Sequence, residues 1–117
     1  MGSEKLFENK IKKYLKDQGC WYIKYWAGGG PTVAGVPDIL ACVNGLFVAI
    51  EVKAPNGKPS ELQLHTISQI KGAGGVAMVL YPKDFDKFKR IVESIKEHQD
   101  RDFSGLWDFG VIQERLP

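Results

Sequence analysis

Hydrophobic and polar positions follow two different periods along the chain, and these periods predict the order of its elements. From Ser3 or Glu4 to Gln18, apolar residues recur on one face of a helix that ends at Gly19. The aromatic segment 21–26 predicts a strand, and the glycine-rich segment 28–31 predicts a loop after it.

An Asn-Gly pair between two apolar runs predicts a β-hairpin. The runs are 35–43 and 46–53, with Asn44 and Gly45 between them. A type I′ turn needs positive φ at both central residues, and Asn-Gly is the pair that favours it most. The turn fixes the register of the two strands, so it also fixes which polar side chains face each other.

Counting outward from this turn places Asp38 directly opposite Glu51, with Lys53 on the same face. Opposed Cβ atoms lie about 5 Å apart, and like charges there destabilise a sheet. Lys53 compensates in part, whereas a hard divalent metal would compensate fully and leave the lysine free. The alternative is a partly solvated salt bridge at the mouth of the hairpin, and two carboxylates with a lysine on one face favour the metal site.

The second half of the chain predicts a helix, a strand and a helix. Ser60 caps the first of these helices, which ends in the loop 72–75, and 76–81 reads as a buried strand. An amphipathic helix follows from Asp84 to about His98. The fold class is therefore α/β, while the apolar tail 103–117 receives no assignment.

Composition sets limits without naming a function. The 117 residues suit a single domain over 1–117, and a net charge of +2 means that any polyanion site must be a local patch. Cys20 and Cys42 lack metal-ligand spacing and support a disulfide only weakly, so a reducing cytoplasm is expected (that of a host cell if the protein is viral). No apolar run is long enough to span a membrane.

The hairpin motif resembles that of a known nuclease superfamily. Pro37-Asp38, followed after the turn by Glu51-Val52-Lys53, is similar to the PD-(D/E)xK signature. The surroundings resemble the small virus-type replication-repair nuclease (VRR-NUC) branch over roughly Glu4 to Ile95. This wider resemblance includes the first-helix positions Glu8, Ile11, Leu15 and Gly19, the Gly-Val-Pro-Asp run at 35–38, Gln63, and a strand after Gly75.

The resemblance implies a restriction-endonuclease-like core, with a mixed four-stranded sheet flanked by helices in the order αβββαβ plus a C-terminal helix. It also implies metal-dependent hydrolysis of DNA phosphodiesters. Asp38 and Glu51 would hold one or two Mg²⁺ or Mn²⁺ ions, with the Val52 carbonyl as an extra ligand. Lys53 would position or deprotonate the attacking water, or stabilise developing negative charge.

Two further residues enter through the same resemblance, each with an alternative. Glu8 would reach the site as a metal ligand or a water-orienting carboxylate, or would be an ordinary solvated glutamate near a helix N-terminus. Glu4 is the weaker candidate for that role. Gln63 would contact the active site, although a glutamine on a helix usually lies on the surface.

Small members of the resembled family are similar to Holliday junction resolvases and pair as homodimers, which suits a two-fold symmetric four-way junction. Recognition through phosphates and DNA shape is expected, because so small a domain leaves no room for a sequence-reading module. Flap or end processing, branched-DNA binding without turnover, and a metal-stabilised structural domain remain alternatives.

Three surface features could contribute to these interactions. Lysines of the first helix and beyond could form a phosphate-facing stripe. Aromatic residues of the first strand could stack on bases, although core or dimer interface is the more frequent role. The apolar tail is a candidate dimer interface. The residues are, in turn, Lys10, Lys12, Lys13, Lys16, Lys24, Lys58 and Lys71; Trp21, Tyr25 and Trp26; and Leu106, Trp107 and Phe109.

Overall fold

A mixed four-stranded sheet with helices on both faces forms the centre of the protein, and its computed structural model describes residues 2–26 and 33–98. The order of elements agrees with the sequence prediction. The loop 28–31 and the tail 103–117 lie outside the described residues. The elements are α1 (Gly2–Asp17), β1 (Trp21–Lys24), β2 (Ile39–Val43), β3 (Leu46–Val52), α2 (Glu61–Gly72), β4 (Val76–Leu80), a 3₁₀ turn (Pro82–Asp84) and α3 (Phe85–Glu97).

The predicted hairpin and its register are confirmed. The strands lie in the order β1-β2-β3-β4, with the first three antiparallel and β4 parallel to β3. Val43 pairs with Leu46, as the turn prediction required. Asn44 and Gly45 have φ values of 51° and 83°, the positive values that a type I′ turn needs.

The core has two parts, one on each face of the sheet. Apolar residues of α1 and α3 pack on one face, and α2 packs over β3 and β4 on the other. Because β3 is covered on both faces, its side chains are buried without a break from Val48 to Val52. A charged residue in that stretch, such as Glu51, is therefore placed inside the protein.

The start of α2 is fixed by a capping box, which confirms the predicted cap. The Ser60 side chain accepts a hydrogen bond of 3.1 Å from the Gln63 backbone N–H. The Gln63 side-chain oxygen in turn accepts one of 2.8 Å from the Ser60 N–H. The capping box engages the side-chain oxygen of Gln63 and leaves its NH₂ group free to donate a hydrogen bond to another residue.

Two tryptophans of the aromatic segment 21–26 lie outside the core, whereas Tyr22 packs against it. Trp21 is 65% exposed because α2 covers β3 and β4 but not β1, and Trp26, which lies beyond the end of β1, is 69% exposed. Trp21 pairs with Cys42, which pairs with Phe47 on β3, so these three exposed residues form one row across the sheet. We refer to Trp21, Cys42 and Phe47 as the exposed row.

Two simpler expectations concern the thiols and the membrane. Cys20 and Cys42 are both free cysteines. Within residues 2–26 and 33–98, no helix is long and apolar enough to cross a membrane.

The turn predicts the effect of a single methyl group. Gly45→Ala places a Cβ in open space but forces alanine to a φ of 83°. Since only the backbone is strained, we expect the free energy of unfolding to fall by about 1–2 kcal/mol. Urea unfolding measures this change.

Gly72→Ala is the matched control for that substitution. Gly72 ends α2, has no positive φ, and its added Cβ would also meet open space. Its free energy of unfolding should be unchanged or slightly higher, because alanine is the better helix former. Equal losses in the two variants would contradict the turn argument.

Candidate active site

The predicted site residues meet where the hairpin strands begin to separate. Asp38 directly precedes β2, Glu51 is the penultimate residue of β3, and Lys53 directly follows that strand. Helix α1 brings Glu8 to this end of the sheet, and the first turn of α2 brings Gln63. The site is thus built from two strands and the two helices that pack on opposite faces.

Asp38 is held by the backbone on both sides. Its side-chain Oδ2 accepts a hydrogen bond of 2.9 Å from the Val52 N–H. Its backbone carbonyl accepts one of 2.7 Å from the Tyr25 N–H. These bonds fix the carboxylate beside the end of β3, as the register predicted, while the side chain remains 25% exposed to solvent.

Glu51 is buried, with a side chain only 2% exposed. Its Oε2 lies 3.0 Å from the Lys53 Nζ and accepts a hydrogen bond of 2.8 Å from the Gln63 NH₂ group. Burial raises the pKa of Glu51; the Lys53 hydrogen bond opposes this and the charge of Asp38 adds to it, so the pKa lies above its ordinary value. Gln63 therefore contacts the site rather than solvent alone.

The second carboxylate oxygen of Glu51, Oε1, is available to a further ligand. Among the described residues, the buried Oε1 has no hydrogen-bond partner. Leaving a buried charged oxygen unpaired is unfavourable by about 1–3 kcal/mol or more. A hard divalent cation prefers carboxylate oxygen and would remove this deficit.

The donor set fits a cation that is only partly held by protein. Within residues 2–26 and 33–98, no three His, Cys, Asp or Glu side chains converge as a metal-binding group. Asp38 and Glu51 would thus supply two carboxylates, with other positions left for a backbone carbonyl, water or a phosphate. This is the way in which Mg²⁺ is commonly bound.

Glu8 is buried on the inner side of α1, so the solvated alternative is wrong. Its Oε1 accepts a hydrogen bond of 2.8 Å from the Lys24 Nζ. Its Oε2 has no hydrogen-bond partner among the described residues but, unlike the Glu51 Oε1, forms ion pairs, at 3.1 Å with Lys12 and 3.7 Å with Lys5. Burial alone would raise the pKa of Glu8, but its contacts with Lys24 and Lys12 outweigh burial and lower the pKa. A role for Glu8 as a metal ligand stays a prediction.

Lys24 is the site residue that sequence reasoning missed. The sequence suggests only a phosphate-facing lysine here, whereas the Lys24 Nζ lies between Glu8 and Asp38, 3.5 Å from the Asp38 Oδ1. Burial alone would lower the pKa of Lys24, but its contacts with Glu8 and Asp38 outweigh burial and raise the pKa. The ammonium therefore stays charged. Lys24 pairs with Ile39, the residue after Asp38, and this alignment of β1 with β2 is visible only in the structure.

The remaining lysines of α1 do not form one free stripe. Lys13 forms an ion pair of 2.8 Å with Asp17, and the Lys10 Nζ lies 4.8 Å from the centre of the Phe85 ring. Together with the contacts of Lys12 and Lys24 to Glu8, these pairings commit most of the predicted stripe to the protein itself.

Two clefts border the site. The larger, of about 480 Å³, adjoins Lys53: a Cβ at Gly57 would lie 3.3 Å from the Lys53 Cδ. The smaller, of about 370 Å³, includes Glu4 and Glu8 in its lining. The lining residues of the larger cleft include two lysines and are Pro55, Asn56, Gly57, Lys58, Tyr81 and Lys83.

Comparison with known proteins places the chain in a family. A sequence model of the archaeal Holliday junction resolvase (Hjc) family matches residues 2–100. The chain belongs to the Hjc family. The PD-(D/E)xK type of nuclease is thereby confirmed, whereas membership of the VRR-NUC branch is not what the match shows.

The fold agrees with that assignment. The chain is similar to the solved structure of Hjc, a Holliday junction resolvase from the hyperthermophilic archaeon Archaeoglobus fulgidus, with 27% identity and a TM-score of 0.50. The similarity covers 66% of this chain and 66% of that protein's length. No curated protein matches.

The two buried glutamates should have opposite effects on stability in the absence of metal. The native pKa of Glu8 is lowered, so its contribution is present above its unfolded pKa and lost as pH falls through the native value. The native pKa of Glu51 is raised, so its contribution is present below its unfolded pKa and lost as pH rises through the native value.

Glu8→Gln should therefore lower the free energy of unfolding at pH 7 in EDTA, by about 1–3 kcal/mol, because charged hydrogen bonds are lost. Glu51→Gln should raise it, because a buried charge is removed. Chemical denaturation at falling pH should show the Glu51→Gln difference shrinking first, as Glu51 becomes protonated below its raised native pKa. The Glu8→Gln difference should persist over that range and shrink only below the unfolded pKa of Glu8. The same sign for both variants at pH 7 would refute this account of the site.

Proposed function

We propose that the protein is a metal-dependent endonuclease that cleaves Holliday junctions or closely related branched DNA. The observation that carries the proposal is the buried Glu51 oxygen without a partner, beside Asp38 and Lys53, in a chain of the Hjc family. In a purely structural salt bridge with Lys53, this buried oxygen would stay without a partner, which is unfavourable.

The residues that would hold the cation are Asp38 and Glu51, with the Val52 carbonyl as a further donor. Mg²⁺ and Mn²⁺ both suit oxygen ligands of this kind. When bound, such a cation supplies an activated water and stabilises charge on the phosphate. Gln63 keeps the Glu51 carboxylate in place through its 2.8 Å hydrogen bond.

Lys53 would act directly on the reacting groups. Its Nζ lies 3.0 Å from the Glu51 Oε2, and its side chain is 16% exposed, so the ammonium borders both the carboxylate and solvent. From this position it can orient the attacking water or stabilise the negative charge that develops on the phosphate. Glu8 would act from the opposite side, through the Lys24 ammonium that joins it to Asp38.

The DNA backbone would be held by the larger cleft. Lys58 and Lys83 line it, and the Tyr81 hydroxyl stabilises its wall by donating a hydrogen bond of 2.9 Å to the Gly57 carbonyl. Because Gly57 packs near Lys53, a phosphate bound in this cleft would belong to the same DNA strand as the phosphate in the active site. Contacts of this kind read backbone position and shape rather than base sequence.

The proposal predicts a divalent-metal-dependent cleavage that Lys53 is required for. Lys53→Ala should lower the single-turnover rate on a four-way junction by about 100-fold or more, since a charge at the reacting phosphate is lost. The wild-type protein should cut the junction with Mg²⁺ or Mn²⁺, should not cut it in EDTA, and should leave linear duplex intact.

Lys96→Ala, at an exposed position in the last turn of α3 where the lysine contacts Gln18, is the control and should retain the wild-type rate. A gel-shift assay should show that Lys53→Ala still binds the junction. Cleavage that survives both EDTA and Lys53→Ala would disprove the mechanism, and cleavage of flaps or ends in preference to junctions would redirect the substrate.

The proposed enzyme is a homodimer, and the exposed row is its candidate interface. Trp21, Cys42 and Phe47 lie side by side on a sheet face that α2 leaves uncovered. A contiguous apolar patch of this kind is typical of a protein–protein contact. Two copies related by a two-fold axis would present two sites to a symmetric junction.

Phe47→Glu should convert the dimer into a monomer, because it places a charge within the apolar contact. Phe47 is 46% exposed, so the monomer fold should tolerate the change. Leu6→Glu, at a 69% exposed position on α1, is the control and should leave the mass unchanged. Sedimentation equilibrium measures both, and a wild-type monomer at micromolar concentration would refute the dimer.

A further inference from the structure

The Lys24 ammonium lies where it would compete with the proposed metal ion for the Asp38 carboxylate. Its Nζ lies 2.8 Å from Glu8 Oε1 and 3.5 Å from Asp38 Oδ1, and its side chain is only 19% exposed. One ammonium thus links the buried carboxylate of α1 to a proposed metal ligand. This link is made across three elements, since Lys24 ends β1 and Asp38 precedes β2.

We propose that Lys24 is the resident counter-cation of the metal-free site and that it sets the affinity for the divalent ion. Without metal, its charge offsets the repulsion between Glu8 and Asp38, so it stabilises the fold. With metal bound to Asp38, the same charge lies close to a doubly charged cation and opposes it. The inference rests on the proposed function, because it concerns the same metal site.

The proposal explains why the two halves of the site differ. Glu51 has an oxygen with no partner among the described residues, although Lys53 is 3.0 Å from the other oxygen. Asp38 has both oxygens engaged, one by the Val52 N–H and one by Lys24. The half that contains Glu51 is therefore open to a cation, whereas the half that contains Asp38 must exchange one cation for another.

Lys12 offers a matched comparison within the same cluster. Its Nζ is 3.1 Å from the Glu8 Oε2 and its side chain is 23% exposed, close to the values for Lys24. Among the ion pairs of the described residues, however, Lys12 pairs with Glu8 and not with Asp38. The two lysines differ mainly in whether they contact the proposed metal ligand.

The test uses the DNA-free protein and needs no cleavage. The thermal midpoint of unfolding is measured in EDTA and across a MnCl₂ titration, which yields an apparent metal affinity. Lys24→Gln should unfold at a lower temperature than wild type in EDTA. It should reach its half-maximal Mn²⁺ stabilisation at a concentration lower by about fivefold or more, because the competing charge is gone.

Two variants separate this effect from general changes in charge. Lys12→Gln should keep the wild-type Mn²⁺ dependence within about twofold, and Lys24→Arg, which keeps the charge, should do the same. If Lys24→Gln does not fold in EDTA, Mn²⁺ should restore its folded far-ultraviolet circular dichroism, and failure to do so would overturn the inference.

Three other outcomes would overturn the inference. An unchanged or weaker Mn²⁺ affinity in Lys24→Gln would mean that Lys24 supports the ligands instead of competing with the metal. Equal tightening in Lys12→Gln would reduce the effect to net charge. Wild-type protein that shows no Mn²⁺ stabilisation would overturn the proposed metal chemistry as well, so the two failures are distinguishable.

Discussion

The burial of the Glu51 carboxylate is the constraint on which the rest of the site depends. Strand β3 is covered by helices on both faces, so the position offers no solvent to a charge. An ionised carboxylate there needs hydrogen bonds and a counter-charge, because desolvation is otherwise far more unfavourable than a surface ion pair is favourable. Lys53 and Gln63 supply part of this requirement, and a bound cation would supply the rest.

This requirement also explains why α2 begins where it does. The capping box engages the Gln63 amide oxygen at Ser60, which orients the NH₂ group toward Glu51. A helix that began one turn later would still bury Ile67 against the sheet, but it would leave Glu51 with Lys53 alone. The cap is therefore a structural element of the site as well as a helix terminus.

The two buried glutamates show that burial alone does not set the state of a carboxyl group. Glu8 and Glu51 are both almost inaccessible, yet the pKa of one is lowered and that of the other is raised. The difference lies in the neighbours: Glu8 contacts two lysines at 2.8 and 3.1 Å, whereas Glu51 has one lysine and the opposing charge of Asp38. Neighbouring carboxyl groups whose pKa values are shifted in opposite directions are typical of functional sites.

The hairpin and its facing residues were predictable from sequence because a two-residue turn determines the register of both strands. Lys24 was not predictable in the same way, since its contact with Glu8 joins residues that only the packing of α1 on β1 brings together. The exposure of Trp21 also depends on tertiary structure: an aromatic strand is usually covered, and only the placement of α2 over β3 and β4 leaves it open. Local chemistry could be read from the chain, whereas helix placement had to be observed.

The register of β2 and β3 determines both the core of the fold and the positions of the site residues. Asp38 reaches the Val52 N–H only because the turn at Asn44 and Gly45 sets the two strands in one alignment. A slip of one residue would send the strand's side chains to the opposite face, removing Asp38 from Glu51 and burying polar groups in the core. The same slip would break the exposed row, since that row also depends on cross-strand pairs. Nuclease site, core and proposed dimer contact are thus three consequences of one two-residue turn.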